Sequence, residues 1–323
     1  MGFIPVDNFD LYNLKMNKKI IIAGGTGFIG KCLADKFRGM GYQVMIISRQ
    51  PGHVNWNDQS AMIAALDNAE MLINLAGKSV DCRYNQKNKK EIYDSRINTT
   101  RALGNAIVQC NNPPALWINS STATIYRHAE DRPMTESAGE MGKGFSVNIA
   151  KNWEKAFFDF TLPHTRQIAL RMAIVLGEQG GVLPVLKKMV SFCLGGKQGN
   201  GNQMFSWLHI EDLFRIIIYM QEHMELSGIF NSSAPNPVSN SILMQTLRHQ
   251  LKPLISIPSP KWLLTIGAVF IKTETELVLK SRWVIPEKLL QSGFNFKYPT
   301  IDKAINNILG KHELKQEQVE NQL

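Results

Sequence analysis

Along the first half of the chain, short runs of consecutive apolar residues alternate with stretches in which apolar residues recur every third or fourth position. Residues 19–23 (Lys-Ile-Ile-Ile-Ala) form the first run, and 43–48, 70–75, 116–120 and 167–176 are the others. Strands that are apolar on both faces suit a parallel sheet, which helices cover on both sides. Between the runs, 28–38 carries Ile29, Leu33 and Phe37 four apart, with Gly39 and Gly41 as its stop. Residues 91–109, ended by Asn111-Asn-Pro-Pro, and 146–158 also read as helices. In 146–158, Ile149, Trp153 and Phe157, with Phe145 just ahead, form an apolar stripe that reads as core. Strand alternating with helix predicts an α/β fold with a doubly wound parallel sheet.

After Gly177 the alternation stops. Glycine and proline punctuate short elements, a helix is expected over 213–223, and His209 and Asp212 organise its start. The expected organisation is an N-terminal extension over 1–15, ahead of a second methionine at Met16, then a sheet domain over 16–177 completed by about 209–235. A smaller substrate-side region would span 178–208 and 236–310, and a frayed polar tail 311–323.

The composition of the 323 residues, 44% hydrophobic and 20% charged, belongs to an ordinary globular protein and excludes a low-complexity chain. No apolar run approaches the roughly twenty residues of a membrane span, and no secretory signal pattern opens the chain. Cys32, Cys82, Cys110 and Cys193 stand far apart without metal-ligand spacing, which points to reduced thiols in the cytoplasm and to no metal. The net charge of +9 is compatible with nucleic acid or with a phosphorylated cofactor. The densest basic run, 87–90, lacks interleaved aromatics and reads as a solvated helix start, so a nucleic-acid partner is not expected.

The sharpest chemical signal is Gly24-Gly-Thr-Gly27-Phe-Ile-Gly30, between the first strand and the first helix. Glycine there permits a tight turn and lets backbone N–H groups approach a pyrophosphate at the helix N-terminus. Gly24, Thr26, Gly27, Phe28, Ile29 and Gly30 are the candidate residues of a Rossmann-type dinucleotide site. Eighteen residues beyond Gly30, where an NAD site usually places a carboxylate for the ribose 2′-hydroxyl, this chain has Ser48-Arg49. A hydroxyl and a guanidinium suit a 2′-phosphate, so NADP is expected ahead of NAD.

These residues, with Asn74-Leu-Ala-Gly77, Ser120-Ser-Thr-Ala-Thr-Ile-Tyr126 and Leu208-His-Ile-Glu-Asp212, resemble the extended short-chain dehydrogenases/reductases of the epimerase/dehydratase type. Arg282-Trp-Val-Ile-Pro286 and Gly293-Phe-Asn-Phe resemble the small C-terminal domain of an atypical subgroup, designated 39U. The likeness runs from about Met16 to Gly310. It implies 2′-phosphate contacts at Ser48 and Arg49, contacts beside the adenosine at Leu75, Ala76 and Gly77, a groove-bordering pair at Glu91 and Arg96, and a nicotinamide-facing residue at Val175.

In active members of that superfamily a Tyr-x-x-x-Lys pair moves the proton and a Ser or Thr orients the substrate oxygen. None of the seven tyrosines here has a lysine four residues on. Placing Trp153-Glu154 on the superfamily's glutamate puts Ser146 at the tyrosine position and Ala150 at the lysine position, while Lys151 points about 140° away from Ser146. Thr122 survives as the orienting residue, and Tyr126 is the phenol expected near the nicotinamide. The implied function is that of an NADP-dependent oxidoreductase or epimerase acting on a small carbonyl, hydroxyl or sugar-nucleotide substrate, with a homodimer as its candidate assembly. The alternative is a non-catalytic NADP-binding sensor or protein-interaction module.

Overall fold

The computed structural model describes residues 18–253, 255, 257 and 280–320. The chain enters with β1 (Lys19–Ala23), α1 (Phe28–Gly39), β2 (Gln43–Ser48) and β3 (Val54–Asn55), followed by α2 (Gln59–Leu66) and β4 (Ala69–Asn74). Next come α3 (Gln86–Val108), β5 (Leu116–Thr122), a single 3-10 turn (Ala123–Ile125), α4 (Phe145–Phe158) and β6 (Arg166–Met172). One sheet of seven strands takes these up, in the order β3-β2-β1-β4-β5-β6 with a seventh strand, residues 228–232, beyond β6. Every neighbouring pair is parallel. This is the doubly wound arrangement expected from the pattern, and strand order reverses between β1 and β4, where such sheets open a crevice.

Alternation along each strand sorts side chains into two cores. Ile20, Ile22, Met71, Ile73 and Ile118 face a layer built on Leu33 and Phe37 of α1. Ile21, Leu72 and Trp117 face the other side, against Met62 of α2, Leu103 and Ile107 of α3 and Phe157 of α4. The apolar runs without alternation are thus strands buried on both faces.

The run 167–176, expected to be one strand, is two. β6 ends at Met172, and β7 (Ile174–Gly177) leaves for a second sheet, where it joins β8 (Gly180–Gly181) and β10 (Trp207–His209). At the break, the Ala173 N–H donates to Ser232 O at 3.0 Å and the Ile174 N–H to Ser206 O at 3.2 Å. No glycine or proline marks the switch, because each segment finds a complete set of partners. The helix expected over 91–109 begins five residues earlier, at Gln86, where the Asn85 side chain accepts from the Asn88 N–H at 2.8 Å.

The second half adds α5 (Leu183–Ser191), β9 (Met204–Phe205), α6 (Ile210–Glu222), β11 (Gly228–Ser232), β12 (Val238–Ser239), α7 (Asn240–Leu251), α8 (Glu287–Gln291) and α9 (Ile301–Glu320). Leu183, Leu186 and Val190 of α5, Leu243 and Leu247 of α7, and Ile301, Ile305 and Ile308 of α9 close a core of their own around Trp207. The tail expected to fray from 311 instead continues α9 to Glu320. No helix among the described residues is long and apolar enough to cross a membrane.

Candidate functional site

At the reversal of strand order lies a cleft of about 510 Å³. Its floor is the β1–α1 turn. Gly24 has φ +76°, and a Cβ there would lie 2.8 Å from the backbone of Leu75 and Ala76; a Cβ at Gly30 would lie 2.5 Å from Gly25 Cα. Glycine is therefore demanded twice, once by conformation and once by helix against turn. Gly27 differs: its Cβ would meet nothing closer than 3.8 Å, so that side of the turn is open. Gly27 caps α1 without a side-chain bond, and the first turn of α1 carries no acidic residue. A helix N-terminus left in this state suits an anionic group, and the open face at Gly27 leaves room for one.

Close packing of Gly24 draws the end of β4 into the cleft, where Leu75 and Gly77 join the lining. Buried amides hold that strand end in place. Asn74 Nδ2 donates to Asn119 Oδ1 at 2.6 Å and to Thr100 Oγ1 at 3.1 Å, while Asn74 Oδ1 accepts from the Ala76 N–H at 3.0 Å. Trp153 Nε1 also donates to Thr100 Oγ1, at 2.9 Å, which ties α4 to α3. Sequence reasoning missed Thr100 and Asn119; the available signal was a polar residue inside an otherwise apolar strand or helix face.

Gly24, Gly27, Phe28, Ile29, Gly30, Leu75, Gly77, Arg96, Thr122 and Val175 converge on the cleft. Thr26, Ser48, Arg49, Ala76 and Glu91 lie outside its lining. Ser48 ends β2, is buried, bonds His53 Nδ1 at 2.8 Å and accepts from the Gln50 N–H; Arg49 beside it is exposed. Glu91 pairs with Lys78, and that ammonium, with smaller help from Lys87 and then Arg49, holds its carboxyl below the usual glutamate range. Arg49 and Glu91 are therefore within electrostatic reach of each other.

Arg96 reaches in from α3. Its Nη1 donates to Lys78 O at 3.0 Å and Ile92 O at 3.1 Å, and its guanidinium lies 5.2 Å from the centre of the Trp153 ring. Burial pushes it down to about 10, with the Tyr84 phenol the strongest opposing influence. It is the one charged side chain among the described lining residues. The opposite wall is α4, where Phe145, Ser146, Ile149 and Trp153 face the cleft. The stripe expected to be simple core is thus shared, with Phe157 alone packed under the sheet. Lys151 is exposed and Ala150 buried, so neither stands in for the absent lysine. Thr122 is half-buried at the end of β5 and accepts from the Thr124 N–H at 3.2 Å.

The structure overturns the expectation for Tyr126. Its side chain is 2% exposed, outside the cleft, in a cluster with Ala123, Met134, Val147 and Val284. Its hydroxyl lies 2.9 Å from Asn231 Oδ1 and accepts from Arg171 Nη1 at 2.9 Å. Burial raises its pKa despite Arg171, so it is held as a neutral structural phenol. The loop after it is ordered by this anchoring: Tyr126 bridges Met141 and Met134 bridges Val284. Beneath it, Arg171 binds Glu154 through two 2.8 Å bonds, and Ser121 Oγ donates to Glu154 at 2.6 Å. His209 and Asp212 are structural too. His209 Nδ1 caps α6 by accepting from the Glu211 N–H, and Asp212 accepts from the Lys297 and Tyr298 N–H groups, both at 2.8 Å.

A parallel sheet with a glycine turn at its switch point defines the class of doubly wound nucleotide-binding folds. Residues 20–232 match the NAD dependent epimerase/dehydratase family, and 259–308 match a domain of unknown function, DUF1731. The chain belongs to the NAD dependent epimerase/dehydratase family. It is 30% identical to the human epimerase family protein SDR39U1 over 90% of this chain and 99% of that one. It is 31% identical to the epimerase family protein YfhF of Bacillus subtilis over 90% of this chain and 97% of the relative. The crystal structure of human SDR39U1 with NADPH superposes with a TM-score of 0.81 over 90% of this chain and 99% of that chain. A Thermotoga maritima UDP-glucose 4-epimerase, 16% identical over 92% of this chain and 99% of that one, shares the fold with a TM-score of 0.69.

Proposed function

We propose that this chain binds NADP(H) along the cleft and uses it to oxidise or reduce a small carbonyl or hydroxyl substrate. The observation that carries the reading is the turn at Gly24–Gly30, closed by glycine where backbone packs on backbone and open at Gly27 beside an uncapped helix N-terminus. Gly24, Thr26, Gly27, Phe28, Ile29 and Gly30 would cradle the pyrophosphate. Ser48 and Arg49 would meet the 2′-phosphate, Leu75, Ala76 and Gly77 would line the adenosine side, and Glu91 and Arg96 would border the groove. Val175 would face the nicotinamide, and Thr122 would orient the substrate oxygen. When bound, the dinucleotide supplies or takes up a hydride. The NADPH in the human relative supports the phosphorylated form, as does the lack of a carboxylate at 48–49.

The lining also bears on the substrate. It is mostly apolar and aromatic, and Arg96 is its one cationic side chain among the described residues. A diphosphate-bearing sugar nucleotide would need further cationic contacts once the cofactor is bound, so we favour a small neutral carbonyl. The helical body of α5, α7 and the first half of α9 is read as the substrate side, within 178–208 and 236–310, and the activity as cytoplasmic. A second reading, NADP binding without turnover, rests on Ser146 and Ala150 at the positions of the missing pair.

Calorimetric titration of NADPH and NADH into wild type and Arg49→Glu tests the proposal. NADPH should bind more tightly than NADH, and the variant should lose about tenfold or more of that preference, since one charge-assisted contact is worth about 1.5–3 kcal/mol. Binding of neither nucleotide would sink both readings. Tight binding with no carbonyl-dependent loss of NADPH absorbance would leave the non-catalytic one.

A further inference from the structure

Tyr84 enters the cleft by a route no helical motif marks. It lies two positions ahead of α3, and its ring packs edge-on against Phe145, with centroids 5.1 Å apart. Phe145 is next in the chain to Ser146, the position at which the superfamily's tyrosine would fall. All three side chains line the cleft, and Tyr84 is the one phenol among the described lining residues. Those residues include no carboxylate, histidine, lysine or cysteine. The phenol is also within electrostatic reach of the Arg96 guanidinium, which is fixed by two backbone carbonyls and the Trp153 ring.

We propose that Tyr84 is the proton donor of this enzyme and that Arg96 takes the place of the missing lysine as the cation beside it. The phenol lost from α4 is resupplied from the facing wall of the same cleft. This rests on the NADP-dependent reading above. Reduction of a carbonyl takes up one hydride, which the reduced dinucleotide supplies, at carbon, and one proton, which Tyr84 delivers, at oxygen. The phenolate left behind is stabilised by Arg96 and regains its proton from water. In the oxidising direction the same phenolate accepts the hydroxyl proton as the hydride leaves.

Behind the lining, the other charges in this neighbourhood are Lys89, whose Nζ lies 5.3 Å from the centre of the Phe145 ring, the Lys78–Glu91 pair, Arg49 acting on Glu91, and Arg83 next to Tyr84 in the chain. The Cys82 thiol also interacts with Arg96. Because other cations lie in the same neighbourhood, the test must isolate Arg96.

Two measurements do so. In protein labelled at tyrosine Cζ, the carbon resonance lost in Tyr84→Phe should titrate at lower pH in wild type than in Arg96→Gln, and Arg96→Lys should restore the wild-type behaviour. Titration at the same pH in wild type and Arg96→Gln overturns the pairing. In turnover, Tyr84→Phe keeps the ring contact with Phe145, so NADPH affinity should be unchanged while kcat falls about 100-fold or more. A wild type that reduces a carbonyl and a Tyr84→Phe that reduces it equally fast overturn the assignment to Tyr84 alone. A wild type that binds NADPH and reduces nothing overturns the catalytic reading, and this inference with it.

Discussion

The two sides of the cleft are built from different materials. The floor, Gly24–Gly30, is backbone: its shape follows from what glycine permits within seven residues, and its chemistry is a row of N–H groups at a helix end. The walls above it are side chain. Phe145, Trp153, Arg96 and Tyr84 come from two helices and a loop, and each is held by contacts to residues distant in the chain. A backbone site tolerates no Cβ at its packed positions yet is indifferent to most other changes. A side-chain site can lose its usual tyrosine and lysine and still present a phenol beside a cation.

That contrast predicts a ranking of sensitivities. The largest effect should come from the buried pair beneath α4. Arg171→Met leaves Glu154 charged and unpaired at a site where both side chains are at most 10% exposed, and should cost about 3–5 kcal/mol. Chemical denaturation would show it as a lower midpoint, and adding Glu154→Leu should recover most of the loss. Next is Gly30→Ala, whose Cβ would sit 2.5 Å from Gly25 Cα; overpacking there should cost about 1–3 kcal/mol by the same measurement.

Gly27→Ala sharpens the comparison. Its Cβ meets only ordinary contact distance, so stability should stay within about 0.5 kcal/mol of wild type. Calorimetry should nevertheless show weaker NADPH binding, because the methyl enters the open side of the turn. Unchanged binding would mean that the opening at Gly27 faces no ligand.

The smallest effect is electrostatic. Burial holds the Glu136 carboxyl above the ordinary 4.5, against hydrogen bonds from the Asn231 and Glu287 N–H groups. The folded protein therefore binds this proton more tightly than the unfolded chain does. The stability it contributes is complete below the unfolded value and is lost as pH rises through the folded one. Glu136→Gln should flatten the fall in stability just above pH 4.5; an identical pH profile in the variant would remove Glu136 from that account.

Much of the sheet was legible from residues close together in the chain. Unbroken apolar runs marked β1, β2, β4 and β5, and four-residue spacing marked α1. The helices α5, α7 and α9 carry the same periodicity but were passed over, because glycine and proline interrupt the region and their apolar faces close a separate core around Trp207. The split between β6 and β7 left no local mark, since Ala173 is as compatible with a continuous strand as with the switch. Tyr126 looked accessible because it follows the strand carrying Thr122, yet Arg171 and Asn231, 45 and 105 residues further on, take its hydroxyl into the interior.

Residues near one another in the chain were enough to set the demand for glycine at the first turn, the absence of a Tyr-x-x-x-Lys pair and the alternation that builds a parallel sheet. These depend on dihedral freedom and periodicity, which neighbouring residues settle among themselves. Long-range packing set the rest: Tyr126 is taken into the interior, Arg171 and Glu154 pair, and Tyr84, Arg96 and Trp153 share one cleft. Those outcomes depend on which side chains long-range packing brings together and removes from water, and no spacing along the chain encodes them.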